Sequence, residues 1–455
     1  MTITSLNPHE PTDVVGEWEP IDARGVDAAV IRAQAAASGW QSAPAGARGK
    51  ALAEIADALE ARADEMVRLT VREVGKPVTE ARGEVARAVS IFRYYAQMVL
   101  APDGQTLPAA DPDAWLIARR YPLGVCVLIT PWNFPVAIPV WKLAPAIGYG
   151  NAVLMKAASA GTAVATRLHE IASACLPDHV FQLVHGDGTT GRALVEHPGV
   201  AAVSFTGSVP VGMDIARRVA ERGARVQCEM GGQNPSIVLA DADLDRAASM
   251  IAYASMGCAG QKCTATSRII VEGPVYNTFR DRLVAAVDAL QVFDPADERT
   301  VVGPVIDDGA RAAALQSVER SGGRVLTGGR ALDNAGFYLA PTLVELDEPS
   351  GPLAKEEVFA PVAAVIKAAS PEVAVAIGND VRFGLVASIF TSNLRAALTL
   401  TNRVEAGLIR VNAPTSGVDF HAPFGGSKES SIGPREQGLA ARDFYTESRT
   451  LLIAP

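Results

Sequence analysis

The chain is poor in the features that mark a disulfide scaffold, a membrane protein or a nucleic-acid binder. Its 455 residues include five cysteines, at 126, 175, 228, 258 and 263, with no CxxC pair. That spacing gives neither a disulfide framework nor a zinc site or other metal centre, and it fits a reducing cytoplasm. No long cluster of Lys and Arg occurs and the net charge is −9, which argues against a nucleic-acid partner. The first 13 residues hold no basic region followed by an apolar run, so neither a secretory signal nor a transit peptide is expected. The longest apolar stretch, 121–155, contains Pro122, Pro131, Pro135, Pro139 and Pro145 together with Lys142. Prolines at this density break a spanning helix, so the stretch reads as a buried strand, a turn and a short buried helix rather than a membrane segment.

What is present is an ordinary globular balance, 49% apolar and 20% charged, in a chain too long for one simple core. Two or three domains are expected. Residues 26–101 are rich in Ala, Glu and Arg, with Leu52, Ile55, Ala56 and Leu59 at helical spacing. They predict two or three amphipathic helices, with breaks near 43–49 and 75–77. From 115 onward short β-rich runs alternate with helices. Strands are predicted at 124–130, 152–156, 180–185, 200–205 and 225–229, with helices at 163–174 and 211–221. This alternation points to an α/β fold with a doubly wound parallel sheet of Rossmann-like type. After Gly232 a second α/β unit is predicted, with strands at 236–239, 267–271, 362–367, 386–391 and 407–412. The chain ends in Thr-Leu-Leu-Ile-Ala, an apolar strand with no obvious local partner.

Cys263 lies in Gly-Cys-Ala-Gly-Gln-Lys-Cys-Thr-Ala-Thr-Ser-Arg (257–268), among small residues that let a substrate carbonyl approach. Glu229 opens Glu-Met-Gly-Gly-Gln-Asn-Pro, and Asn133 sits in Thr-Pro-Trp-Asn-Phe-Pro (130–135). A thiol nucleophile, a carboxylate base and an amide donor for an oxyanion are the parts of an acyl-transfer or aldehyde-oxidising site. Cys126, Cys175, Cys228 and Cys258 read as small packed hydrophobes instead.

These segments resemble the aldehyde dehydrogenase superfamily over most of the chain. Lys156, Phe-Thr-Gly-Ser (205–208), Glu-Glu-Val-Phe-Ala-Pro (356–361) and Pro-Phe-Gly-Gly-Ser-Lys (423–428) follow in the same order. The resemblance implies NAD(P)-dependent oxidation of an aldehyde through a thiohemiacetal and a thioester on Cys263, hydrolysed by water that Glu229 activates. It implies that Lys142 tunes these groups and that Glu436 relays protons. It places the cofactor against Thr130, Pro131, Trp132, Lys156, Gly188, Phe205, Gly207, Ser208, Gly212, Gly231, Glu357 and Phe359. The run Gly186-Asp187-Gly188-Thr189-Thr190-Gly191 satisfies GxGxxG, yet no acidic partner ends a strand about 20 residues on. The family's variant binding mode sets this turn near the adenine, with Ser208 and the helix start behind it facing the phosphates.

Ser159 stands where NAD-preferring members often carry Glu. A serine removes the repulsion of a 2′-phosphate, so NADP is accepted beside NAD and can be preferred. The domain division that follows is 1–100 with 122–231 for the dinucleotide and 232–427 for catalysis. Residues 101–121 with 428–455 form a β oligomerisation element of a homodimer or homotetramer. Within the family, the motifs around Cys263 and 421–438 are most similar to the α-ketoglutaric semialdehyde (2,5-dioxopentanoate) dehydrogenase group. That implies a small aldehyde with a distal carboxylate, passing Phe134, Trp141 and Phe424 and anchored from Lys262, Thr264, Ser416 and His421. Two other chemistries keep the thioester: a Cys-dependent acyltransferase or hydrolase without nicotinamide, and a CoA-acylating dehydrogenase. Glu229 speaks against the second, because transfer to CoA needs no activated water.

Overall fold

The computed structural model describes residues 2–455. The chain opens with an antiparallel pair, β1 (Ile3–Leu6) and β2 (Val14–Trp18), and four helices follow: α1 (Ala23–Trp40), α2 (Ala45–Glu60), α3 (Ala63–Val74) and α4 (Val78–Met98). The sequence predicts two or three helices here and misses both strands. The additional break comes at Ala61–Arg62, where no glycine or proline marks it. The expected break at 75–77 has a clear cause: Gly75 closes α3 at φ +65°, a left-handed conformation that disfavours side chains, and Pro77 precedes α4.

A hairpin of β3 (Gly104–Leu107) and β4 (Trp115–Pro122) leads into β5 (Val125–Thr130), α5 (Ala137–Gly148), β6 (Ala152–Ala157), α6 (Thr162–Ser173) and β7 (Phe181–Leu183). Then come α7 (Gly188–Glu196), β8 (Ala202–Thr206), α8 (Val209–Glu221) and β9 (Arg225–Glu229). Thus the proline-rich apolar stretch becomes a strand, a turn and a 12-residue helix whose residues are all buried. Among the described residues no helix is long and apolar enough to cross a membrane.

The second unit contains β10 (Asn234–Val238), α9 (Leu244–Met256), β11 (Thr266–Glu272), β12 (Arg324–Thr327), β13 (Thr342–Leu346), β14 (Val362–Ala368), β15 (Phe383–Gly384), β16 (Val386–Phe390) and β17 (Leu408–Val411). The chain ends with β18 (Ser427–Lys428), β19 (Ser431–Ile432), the helix Gly438–Tyr445 and β20 (Thr446–Ile453).

Two α/β sheets result. The first has order β19-β9-β8-β5-β6-β7, parallel except for β19; the second has order β12-β13-β14-β11-β10-β16-β17, parallel except for β12. Near-continuous burial of β5, β6, β8, β10 and β14 is what helices on both faces require. Strands β12 and β13 escape the sequence reading; β12 is a short, largely exposed edge strand beside Gly322 and Gly323.

The chain terminus has its strand partner within the chain. β20 pairs antiparallel with β4 from Thr446↔Pro122 to Ile453↔Trp115, and β4 pairs with β3. Residues 428–445 depart from the division given above: Ser431–Ile432 pairs with β9 as an edge of the first sheet, and the helix Gly438–Tyr445 packs on α5. Only 446–453 joins the three-stranded sheet.

Candidate active site

Parallel strands end where their side chains and the following turns open a crevice. Thr130, Thr206 and Glu229 are the last residues of β5, β8 and β9. Beyond them lies a cavity of about 830 Å³, lined by Thr130, Pro131, Trp132, Lys156, Gly188, Phe205, Gly207 and Ser208 among others. A second cavity, of about 400 Å³, is lined by Cys263, Phe134, Trp141, Lys262, Thr264, Ser416 and Phe424 among others. Trp132 on the wall of the larger cavity meets Phe359, ring edge to ring face at 5.8 Å between centroids, and nearby in sequence Glu357 accepts from the Gly232 N–H at 3.0 Å.

The loop that carries Cys263 is held in an unusual backbone shape. Cys258, Ala259 and Gly260 all have φ between +55° and +67°. At Gly260 a Cβ would collide with the Ala360 carbonyl, so glycine is required there. Asn234 fixes the loop from the second sheet: its Nδ2 donates to the carbonyls of Cys263 (2.7 Å) and Ala265 (2.8 Å), and its Oδ1 accepts from the Val386 N–H. The sequence reading passed over Asn234, although it lies in the quoted run after Glu229. Asn133 is buried and spends one N–H on the Gln261 carbonyl at 2.9 Å, which leaves a second for an oxyanion.

Charge is confined tightly around Cys263. Burial, with the Glu357 and Glu229 carboxylates, pushes the Cys263 thiol up to about 12. Burial raises Glu229 well above the ordinary carboxylate range and the Glu436 charge adds to this, while the Ser431 hydroxyl, donating to Oε2 at 2.7 Å, opposes it. The other oxygen, Oε1, has no hydrogen-bond partner, and Gly425 leaves the space beside it open. Glu357 is raised to about 7 by burial, moderated by the Gly232 N–H. Lys142 and Glu436 form a buried ion pair, and Lys142 Nζ also donates to Ser204 Oγ at 2.8 Å. Glu436 is therefore anchored on Lys142 and makes no hydrogen bond to Glu229.

Several expected residues take other places. Lys262 lines the cavity, but its ammonium binds Glu80 at 2.7 Å, which corrects its reading as a free anchor. Burial opposes ionisation of Glu80, yet Lys262 prevails and holds it at about 2. His421 is exposed and does not line the cavity, because the backbone there packs against Gly438 and turns the ring outward onto Phe420. Ser159 is exposed beyond Ala158, which lines the large cavity, and its hydroxyl caps no helix. Gly212 packs α8 against Met230, and Gly231 lies against the Glu357 carboxylate. One contributor has no motif at all: Glu84 accepts from the Val136 and Ala137 N–H groups at 2.8 and 2.9 Å and pairs with Lys76. It caps the start of α5 just after Asn133.

The aldehyde dehydrogenase family model matches residues 1–451. The chain belongs to this family. It is 41% identical over 458 residues to the alpha-ketoglutaric semialdehyde dehydrogenase of Bacillus subtilis, covering 99% of this chain and 94% of that protein. It is 38% identical to the alpha-ketoglutarate semialdehyde dehydrogenase of Haloferax volcanii, covering 99% and 95%. Its fold superimposes on the NAD-dependent aldehyde dehydrogenase of Sinorhizobium meliloti with a TM-score of 0.96 at 35% identity, covering 100% of this chain and 91% of that one. The betaine aldehyde dehydrogenase of Staphylococcus aureus in complex with NAD+ gives a TM-score of 0.96 at 27% identity, covering 99% and 91%. The activity of the family is NAD(P)-dependent oxidation of aldehydes, and this chain is an enzyme of that kind.

The large cavity suits NAD(P). Ser208 is the N-cap of the 13-residue α8, yet its hydroxyl makes no capping bond. Buried Thr130 Oγ1 and Thr206 Oγ1 also lack partners. A Cβ at Gly207 would sit 2.5 Å from the Phe205 ring, so the backbone lies bare at the helix start. Free hydroxyls and helix N–H groups are donors that a pyrophosphate satisfies.

Proposed function

We propose that the protein oxidises a small aldehyde bearing a distal carboxylate to the carboxylic acid, by acylation of Cys263 and hydrolysis assisted by Glu229. The observation that carries this reading is the buried Glu229 carboxylate, one oxygen unpartnered, near enough to the Cys263 thiol for its charge to raise it. Gly232, three residues after Glu229, approaches the Cys263 carbonyl so closely that a Cβ would lie 2.8 Å from it.

In the first half-reaction the Cys263 proton leaves for a base and Sγ bonds to the aldehyde carbon. The carbonyl oxygen becomes an oxyanion that the free N–H of Asn133 and the Cys263 backbone N–H hold, each well-placed donor contributing about 3–4 kcal/mol. Bound NAD(P)+ supplies the acceptor for the two electrons and the hydrogen that the carbon gives up. Lys156, Ser208 and the start of α8 would hold its adenosine and phosphates, with Glu357 and Phe359 on the nicotinamide side. In the second half-reaction Glu229 takes a proton from water, whose oxygen bonds to the acyl carbon as the carbon–sulfur bond breaks and Cys263 recovers its proton. A carboxyl raised by burial is a better base toward water than an ordinary surface glutamate.

The carboxylated substrate is supported by the names of the semialdehyde dehydrogenases to which the chain is similar, and aromatic walls of Phe134, Trp141 and Phe424, the last two 5.5 Å apart, suit its carbon chain. Acceptance of NADP is supported by Lys156 and Arg192 on the cavity wall and by a serine, not a carboxylate, at position 159 just beyond Ala158. A homo-oligomer is supported by Trp115, Leu451, Leu452 and Ile453, all exposed on the three-stranded sheet. The test is an aldehyde panel with both cofactors, read by absorbance of the reduced nicotinamide, for the wild type and Cys263→Ala. The variant is expected to lose at least about 10³-fold in turnover while still binding cofactor. Near-normal turnover would remove Cys263 from the chemistry.

A further inference from the structure

The walls of the smaller cavity hold four charged side chains: Glu80, Glu84, Arg87 and Lys262. Three have protein partners. Glu80 is bound by Lys262 and by the Tyr253 hydroxyl. Glu84 is saturated by Lys76 and by the two backbone N–H groups that open α5. Arg87 is different. It is half-buried, it lines the cavity, and among the described residues no hydrogen bond or ion pair engages its guanidinium.

Position on the helix explains how it reaches this wall. Residues 80, 84 and 87 of α4 fall on one face, separated by four and three positions. The two carboxylates are used to hold Lys262 and the Asn133–α5 turn, and the arginine continues their row. Across the cavity mouth Pro414, Ser416, Gly417 and Val418 form the facing loop. Arg410 donates to the Gly417 carbonyl behind it. Burial lowers the proton affinity of Arg410, Asp419 offsets this, and the Arg87 charge lowers it further, so the two guanidiniums feel each other. Two neighbouring cations of which one is unpaired attract an anion, and a planar carboxylate matches the guanidinium fork.

We infer that Arg87 binds the distal carboxylate of the substrate and thereby selects carboxylated over uncharged aldehydes. The inference rests on the proposed reading of this cavity as the aldehyde site, and it replaces Lys262 as the anchoring cation. The aromatic walls from Phe134, Trp141 and Phe424 take the carbon chain, Cys263 takes the aldehyde end, and the guanidinium takes the acid end.

The test compares wild type, Arg87→Gln and Arg87→Lys on a five-carbon ω-oxo acid and on pentanal. Calorimetry with glutarate, an unreactive dicarboxylate, and thermal melting accompany the kinetics. Arg87→Gln is expected to raise KM for the oxo acid about 10- to 100-fold, the range for a lost charge-assisted pair. Its kcat stays within about threefold, pentanal kinetics do not change, and glutarate binding weakens by the same factor as KM rises. Arg87→Lys recovers part of the loss, because it restores charge without the fork. A discriminating wild type whose preference survives Arg87→Gln overturns the role of Arg87 alone. Equal losses on both aldehydes overturn it too, by showing that Arg87 only supports the fold. A wild type that oxidises pentanal as well as the oxo acid overturns the carboxylated-substrate reading, and this inference with it.

Discussion

The two cavities of this aldehyde dehydrogenase family member are built by opposite means. The larger one gathers strand ends, a helix start, glycines without side chains and hydroxyls without partners. The smaller one is mostly side chains, and nearly every charge in it is matched by another. Backbone donors serve a ligand common to a whole family, since peptide groups are present whatever the local sequence. Matched side-chain charges serve a single reaction, because removing one member leaves the other stranded in a site with little water.

That contrast can be broken or sharpened by substitution. The largest effect is expected from Glu229→Gln. One turnover of nicotinamide reduction should survive as a burst, while the steady rate falls about 10²- to 10⁴-fold, the contribution of a positioned general base. Rapid-mixing absorbance measures both; loss of the burst would move Glu229 into thiol activation. Next is Ser159→Glu at the larger cavity. A carboxylate there should cut the NADP-to-NAD ratio of kcat/KM by about tenfold, the cost of one uncompensated like-charge contact of roughly 1.4 kcal/mol. An unchanged ratio places 2′-phosphate recognition elsewhere.

Glu436→Gln should change turnover least, acting on its pH dependence and on stability instead. Glu436 adds to the burial that raises Glu229, so its neutralisation lowers the Glu229 pKa. The limb on which kcat rises with pH, where Glu229 becomes ionised, should move to lower pH. A shift to higher pH would contradict the assigned electrostatics. The same change leaves buried Lys142 without its carboxylate, and a melting experiment should register that loss, about 3 kcal/mol for a broken buried pair.

The contrast also governs what could be read without a structure. Cys263, Glu229, Asn133 and the 205–208 turn stand out in the sequence because each lies within a short contiguous run, where small residues and chain reversals dictate composition. Strands β5, β6 and β8 are legible because burial on both faces leaves largely apolar runs. The side-chain cavity is harder. Lys262 looks like a free cation until Glu80, 182 positions away in sequence, is brought against it. Glu84 and Arg87 lie on a helix whose pattern predicts ordinary amphipathic packing, and no local signal separates a solvated charge from one facing a substrate. Asn234 carries no separate signal in the sequence, because an asparagine after a strand turn more often serves the turn itself. The short strands β1, β2 and β12 were missed because they are partly exposed and lack strong alternation.

The last 25 residues connect these themes mechanically. Ser431 clamps the Glu229 carboxylate, and Glu436 holds Lys142 five positions later. One short helix then separates that centre from β20 at the rim of the molecule. β20, the edge strand of the three-stranded sheet, is thus joined by a short stretch of chain to the residues that hold the Glu229 carboxylate and the Lys142 ammonium.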